Sequence, residues 1–366
     1  MRSGDRLLDQ QTINKSSCDY LARILLITLW VGFTTGCSKS TGSNVSEKYY
    51  PGAASSALMI HSNPFGELNG EEEYNASAIV PIADSRFLIA DNNTNDALFE
   101  LSLTPDGQKK GPLIRRPLQG LSPGMIDDLE DMTLAEEGGR RYVFVTSSMY
   151  VKKAKKNRLE IPPSGVLLVT INPDDTLSAE HLPGFRDWLI GAYPQLAPSA
   201  NLEPDDDGLN IEGLAWDKTS HTLLFGVRSP SPGGKPLVLP VKIKDLSGPW
   251  TTNNLEAGPA IQLSVEAAAG EQGIRSLYYD QDRDAFLVIT GKSGGDSKAP
   301  FALYEWSGNA KGETRRLAVE FAKKMKPEGI TRGTIGGKNA LVIVDDGGGF
   351  QVVWGDKKLP YAGATQ

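Results

Sequence analysis

Gly208-Leu209-Asn210-Ile211-Glu212-Gly213-Leu214-Ala215-Trp216 is the stretch that decides how this chain is built, because variants of its core recur along the sequence. Aligned on Asn-x-Glu-Gly-Leu, four other segments fall into register: Asn75-Ala76-Ser77-Ala78-Ile79, Asp128-Leu129-Glu130-Asp131-Met132, Gly273-Ile274-Arg275-Ser276-Leu277 and Lys326-Pro327-Glu328-Gly329-Ile330. Each opens a β-rich run, and a second run follows at a nearly constant distance. Ser77 to Asp91 is 14 residues, Glu130 to Ser147 is 17, Glu212 to Arg228 and Arg275 to Gly291 are 16 each, and Glu328 to Asp345 is 17. Midway lie polar or Gly-rich segments such as Asp84-Ser85, Thr219-Ser220 and Gly336-Gly337, which are turn formers, so each pair of runs reads as a hairpin. The second runs, such as Tyr142-Val143-Phe144-Val145 and Leu341-Val342-Ile343-Val344, are continuously apolar, as strands covered on both faces must be.

Third strands are expected at Ala97 to Leu103, Gly165 to Ile171, Pro236 to Ile243, Phe301 to Trp306 and Phe350 to Trp354. Fourth strands are expected at Leu113 to Leu118, Thr176 to Leu182, Ala260 to Val265 and Thr314 to Val319. Four strands repeated radially make an all-β fold, a single β-propeller of about five four-stranded blades, with six as the alternative. The last repeat lacks a fourth strand, while the run Ala57-Leu58-Met59-Ile60-His61 is unassigned at the other end of the domain. That N-terminal run is expected to complete the last blade, closing the ring and leaving no exposed edge. Pro183 to Leu196 breaks the pattern: Phe185, Trp188, Leu189 and Leu196 lie near helical spacing, so a short amphipathic helix is expected there.

With 39 Gly and 23 Pro among 366 residues, the composition suits many turns. Residues 1–36 read as a lipoprotein-type signal peptide: Arg2, Arg6, Lys15 and Arg23 precede the apolar run Ile24 to Phe33, which ends in Thr34-Thr35-Gly36-Cys37. Cys37 is then the lipidated new N-terminus, residues 37–50 a flexible tether rich in Ser, Thr, Gly and Asn, and residues 51–366 the propeller. Plain secretory cleavage is the alternative. Lipidation predicts a bacterial envelope protein facing the periplasm, held to the membrane through its anchor only, with a monomer expected. Cys18 goes with the leader, so no disulfide is expected in the mature chain. Losing four basic and three acidic residues leaves 34 against 42, a net charge of −8 that gives no support for nucleic-acid binding.

In a hairpin the start of the first strand lies beside the end of the second, so the aligned columns become neighbours. One column supplies Ser77, Glu130, Glu212, Arg275 and Glu328; the other supplies Asp91, Ser147, Arg228, Gly291 and Asp345. Both are expected to face a common axial funnel. Gly213 and Gly329 fit positions too crowded for a side chain. Converging carboxylates without His or Cys suit a hard cation such as Ca2+, with Asp91, Glu130, Glu212, Glu328 and Asp345 as its expected ligands. Ser77, Glu130, Glu212, Arg228, Arg275 and Glu328 are the expected ligand-binding set, the arginines gripping a phosphate or carboxylate. The plainer alternative is that Glu212 with Arg228, and Glu328 with Arg275, only pair and hold the blades in register.

Other motifs fail on context. Gly291-Lys292-Ser293-Gly294-Gly295 matches a nucleophile elbow in letters, but a strand rather than a helix is expected to follow. Asp205-Asp206-Asp207-Gly208 suggests a Ca2+ loop, yet Leu214 stands where the bidentate Glu belongs. Three histidines, His61, His181 and His221, none in either column, leave no basis for a Ser/His/Asp triad. The basic run Lys152, Lys153, Lys155, Lys156 and Arg158 reads as a solvated loop, with anionic head groups or an anionic ligand as the sharper alternative.

At Gly208 to Ala215, Leu224-Phe225-Gly226-Val227-Arg228-Ser229-Pro230, Gly273 to Asp280 and Lys326 to Thr331, the chain resembles the uncharacterised family catalogued as domain of unknown function 3616. The likeness runs from about Tyr74 to Trp354. It implies a propeller-like domain and no activity. More distantly, the Glu-Gly strands are similar to those of esterase-like relatives of phytase, which by analogy implies Ca2+-dependent phosphoesterase chemistry. Three functions are therefore expected, in order. The first is binding of a small anionic or polar ligand, with Ca2+ as the candidate cofactor. The second is a Ca2+-dependent hydrolase of phosphoesters or lactones, and the third is a surface scaffold for another protein.

Overall fold

In the computed structural model, residues 57–68, 72–154, 158–355 and 359–363 are described. The expected leader, the tether, Cys37, Lys155 and Lys156 lie outside them. Five repeats fold as five hairpins, each extended outward by further antiparallel strands. The first blade holds Ala76–Ala83, Arg86–Asp91, Ala97–Ser102 and Ile114–Gln119; the second holds Leu129–Glu137, Arg140–Ser147, Val166–Ile171 and Leu177–His181. The third is Asn210–Asp217, Thr222–Ser229 and Leu237–Ile243, its outer place shared by Leu255–Ala257 and Ile261–Gln262. The fourth is Gln272–Asp280, Ala285–Lys292, Ala302–Trp306 and Thr314–Arg316. Pro327–Ile335, Lys338–Asp345 and Gly349–Trp354 make the fifth, which Asn63–Pro64 completes.

The first strand of each blade touches its counterparts in the blades on either side, and the fifth touches the first. This closed cycle of inner strands is a β-propeller. One apolar cluster fills each contact between neighbouring blades: Leu88 and Val143 belong to that between the first and second blades, Phe144 and Phe225 to that between the second and third. Val143 and Phe144 are consecutive yet feed opposite interfaces, which is why the second strands carry no polar alternation. The hairpin turns fall where expected. At Gly138-Gly139 and Gly336-Gly337 both residues have positive φ, the conformation a two-residue hairpin turn demands.

Ring closure differs from expectation in one detail. Asn63–Pro64 pairs with Phe350 and Gly349 in the last blade, whereas the apolar run expected there, Leu58–Ile60, pairs in parallel with Val319–Phe321. Ile60 is buried among Leu317, Val319 and Ile343, so its hydrophobicity serves the contact between fourth and fifth blades rather than the sheet edge. The expected helix is present as Phe185–Ala192, with Phe185 and Leu189 packed against Phe225 and Val227.

Candidate functional site

Each hairpin carries a register irregularity at one equivalent point. In the ladder Ala76 pairs Asp91 and Ala78 pairs Ala90, passing over Ser77. Glu130, Glu212, Arg275 and Glu328 are skipped in the same way. These five bulges fall on the column picked out by sequence alignment. A bulged residue leaves the two-residue alternation of its strand, so its side chain is re-aimed. The next residue must then pack at the crowded axis, and it is small in four blades: Ala78, Gly213, Ser276 and Gly329. A Cβ on Gly213 would sit 2.7 Å from Ile274 Cγ2, and one on Gly329 would sit 2.9 Å from Ala78 Cα.

Three of the five column residues, Glu212, Arg275 and Glu328, meet in a charged cluster with Arg228 from the second column. Arg228 Nη1 donates to Glu212 Oε1 at 2.6 Å, Asn210 Nδ2 donates to the same oxygen at 2.9 Å, and Arg275 Nη1 lies 2.8 Å from Glu212 Oε2. Arg275 Nη2 also pairs with Glu328 Oε1, and its guanidinium lies 5.9 Å from the Phe301 ring centre. Arg228 Nε donates to the Ser293 carbonyl at 3.1 Å. The third, fourth and fifth blades are thereby tied by alternating charge, the plainer of the two roles expected for these residues. Burial lowers the Arg275 pKa; it also works against the Arg228 charge, but the Glu212 carboxylate outweighs it there and the net shift is upward.

Glu130, from the second blade, is the exception. It is 7% exposed, and among the described residues no hydrogen bond or ion pair reaches its carboxyl. Burial holds its pKa well above the ordinary carboxylate value, and the charges of Glu212 and Asp128 add to the shift. Asp128, at φ +59°, is pushed up to about 6, by burial first and then by Glu212 and Asp127. Both line a cavity of about 470 Å3 together with Tyr150, Asn210, Glu212 and Arg228. The Tyr150 phenol, pushed up to about 12 chiefly by burial, stays a donor. Asn210 is 4% exposed; its amide NH2 is committed to Glu212, and its Oδ1 has no hydrogen-bond partner among the described residues.

The remaining expected residues have other duties. Ser77 is fully buried and donates to the Leu129 carbonyl at 2.6 Å, joining the first blade to the second, so its hydroxyl is not offered to a ligand. Asp91 accepts from the Asn75 and Asn93 amides at 3.1 and 2.9 Å, and Asp345 from those of Lys326 and Gly347 at 2.7 and 3.1 Å; both cap their own hairpins. With Glu212 and Glu328 answered by guanidinium, the expected Ca2+ set is dispersed. Among the described residues no group of three or more His, Cys, Asp or Glu is arranged to hold a metal ion. Lys152 lies 3.7 Å from Asp127, and Lys153 pairs with Glu203 and lies 3.5 Å from Asp206, so this part of the basic run is locally neutralised.

Sequence alignment passed over Asp131. It occupies the small-residue position of the second blade, and Oδ2 accepts from Leu214 N at 2.7 Å, Leu277 N at 3.2 Å and Ser276 Oγ at 3.3 Å. Oδ1 takes the Met132 amide at 2.8 Å. One carboxyl thus links the inner strands of three blades. A charged residue in a column otherwise held by Ala, Gly and Ser was its visible signal.

Fold and site together define a β-propeller with an ion-paired axial cluster opening into a polar cavity. Residues 183–346, somewhat less than half of the chain, match the family model described as "Protein of unknown function (DUF3616)", which bears out the resemblance carried by the repeat motifs. No curated protein matches. Among solved structures, an endo-arabinase from Bacteroides thetaiotaomicron is similar at 14% identity and TM-score 0.44, over 82% of this chain and 97% of that one. A β-xylosidase/α-arabinofuranosidase from a compost microbial metagenome is similar at 10% identity and TM-score 0.44, with the same coverage of 82% and 97%. What those enzymes act on is a property of those enzymes.

Proposed function

We propose that this propeller binds a small polar ligand in its axial cavity. The observation that supports this best is a pair of polar groups on the cavity wall, the Glu130 carboxyl and Asn210 Oδ1, on buried residues and without a partner among the described residues. Burying such groups unpaired is costly, and a bound ligand would supply the missing bonds. The anionic ligand suggested by the sequence is less well supported, since the arginines meant to grip it are engaged with Glu212 and Glu328. A thermal-shift screen of neutral, cationic and anionic small molecules tests this. Hits on the wild type should disappear in Glu130→Ala; a screen with no Glu130-dependent hit would refute the proposal. The lipid-anchored, periplasm-facing address is proposed with it, and is tested by palmitate labelling of the exported chain and its loss in Cys37→Ser.

Hydrolysis is the second function we propose, on a separate observation. Asp128, with a pKa of about 6, and Glu130, which burial holds well above the ordinary carboxylate value, share one cavity, the arrangement of a general base beside a general acid. Turnover of an ester, lactone or glycoside panel that is lost in Asp128→Asn would favour it. Binding without turnover would leave the ligand-binding function alone.

A further inference from the structure

The unmet groups in the cavity share one polarity. Glu130 and Asn210 Oδ1 are acceptors; Asp128 lies beside them, and Glu203 and Asp205 stand on the cavity wall. The cations on the same wall are Lys152, Arg228 and Lys292. Arg228 is held by Glu212, Arg275 behind it by Glu212 and Glu328, and Lys152 by Asp127. Lys292 is exposed at the rim. With five carboxyls against three cations on its wall the cavity is acidic; its positive charge is matched except at Lys292 on the rim, and what the buried acceptors lack is a donor carrying positive charge. Asn210 cannot turn to supply one, because its NH2 faces the Glu212 carboxylate.

Resting on the ligand-binding function proposed above, we infer that the ligand carries an ammonium group, seated between the Glu130 carboxylate and Asn210 Oδ1 with the Tyr150 side chain on the same wall. A primary ammonium has three N–H donors and one positive charge, which matches two buried acceptors and one unpaired carboxyl. The volume of about 470 Å3 suits a small-molecule amine.

Wherever the free Glu130 still holds its proton, seating it expels that proton. Burial keeps the free Glu130 protonated to higher pH than an ordinary carboxyl; Glu212 and Asp128 push the same way, and Arg275 and Arg228 oppose them. The ammonium favours the ionised form, so affinity rises with pH until Glu130 is ionised in the free protein, then levels off.

Calorimetric titration of the exported chain with ethanolamine, putrescine, glucose, inorganic phosphate and CaCl2 decides the matter. Supporting results are binding of ethanolamine or putrescine with proton release, read from the dependence of heat on buffer ionisation enthalpy. Glu130→Gln keeps the shape and removes the charge, and should weaken amine binding roughly tenfold or more. Binding of glucose, phosphate or Ca2+ in preference to the amines overturns the ammonium assignment while leaving a ligand-binding cavity. Amine binding with no proton release at any pH in the wild type also overturns it, whatever the variant does. Silence of all five probes, joined to an empty thermal-shift screen, removes the binding function itself.

Discussion

Asp128→Asn should make this protein more stable, and by an amount that depends on pH. Asp128 lies at φ +59° on the cavity wall, and Asn tolerates that backbone region, so the exchange removes a charge with little backbone strain. Its pKa is raised from 3.8 to about 6, chiefly by burial. Below about pH 4 folded and unfolded chains both hold the proton. As pH climbs from there to about 6, the unfolded chain gives it up while the folded chain keeps it, so wild-type stability falls, then stays flat. At about 1.36 kcal/mol per pKa unit the loss is about 3 kcal/mol, a ceiling because solvent at the cavity mouth screens part of it. Asn never ionises. The variant should therefore match wild type near pH 4 and exceed it by up to about 3 kcal/mol above pH 6, about 6 °C in Tm at roughly 2 °C per kcal/mol. Urea titrations of both proteins across that range are the assay. Parallel curves at every pH would show that Asp128 carries no such burden, and with it would go the reason to read Asp128 and Glu130 as an acid–base pair.

Arg275→Met should cost about 3–5 kcal/mol, because it strands the buried Glu328 carboxylate and takes one of two guanidinium partners from Glu212, and adding Glu328→Gln should recover part of the loss in a double-mutant cycle; strict additivity would contradict the shared ion pair. Asp131→Ala should cost about 2–4 kcal/mol in urea denaturation, since it orphans the Leu214 and Leu277 amides, while Asp131→Asn keeps one accepting oxygen and should lose less. A chain shortened to begin at Phe65 uncovers the edge strand Gly349–Trp354, and should associate in light scattering at concentrations where a chain beginning at Pro51 does not.

Much of this architecture can be read from residue order. The spacing of the repeats, the Gly-Gly and Asp-Ser turns, and the unbroken apolar second strands follow from local geometry, because a strand flanked by neighbours on both faces has no polar side to show. Alignment also found the bulged column, since Glu212 and Gly213 recur as a pair: one re-aimed side chain, one residue small enough for the axis. What it could not show is which partner each charge takes. Arg275 answers Glu212 in one neighbouring blade and Glu328 in the other, across sequence separations that only ring closure brings within hydrogen-bond reach. The same closure leaves Glu130 without an ion pair among the described residues, spends Asp91 and Asp345 on their own turns, and seats Ile60 in a core rather than on an edge. Pattern along a chain sets which groups point to the axis; the through-space distances among them, and so their charge and proton occupancy, exist only once the blades are packed.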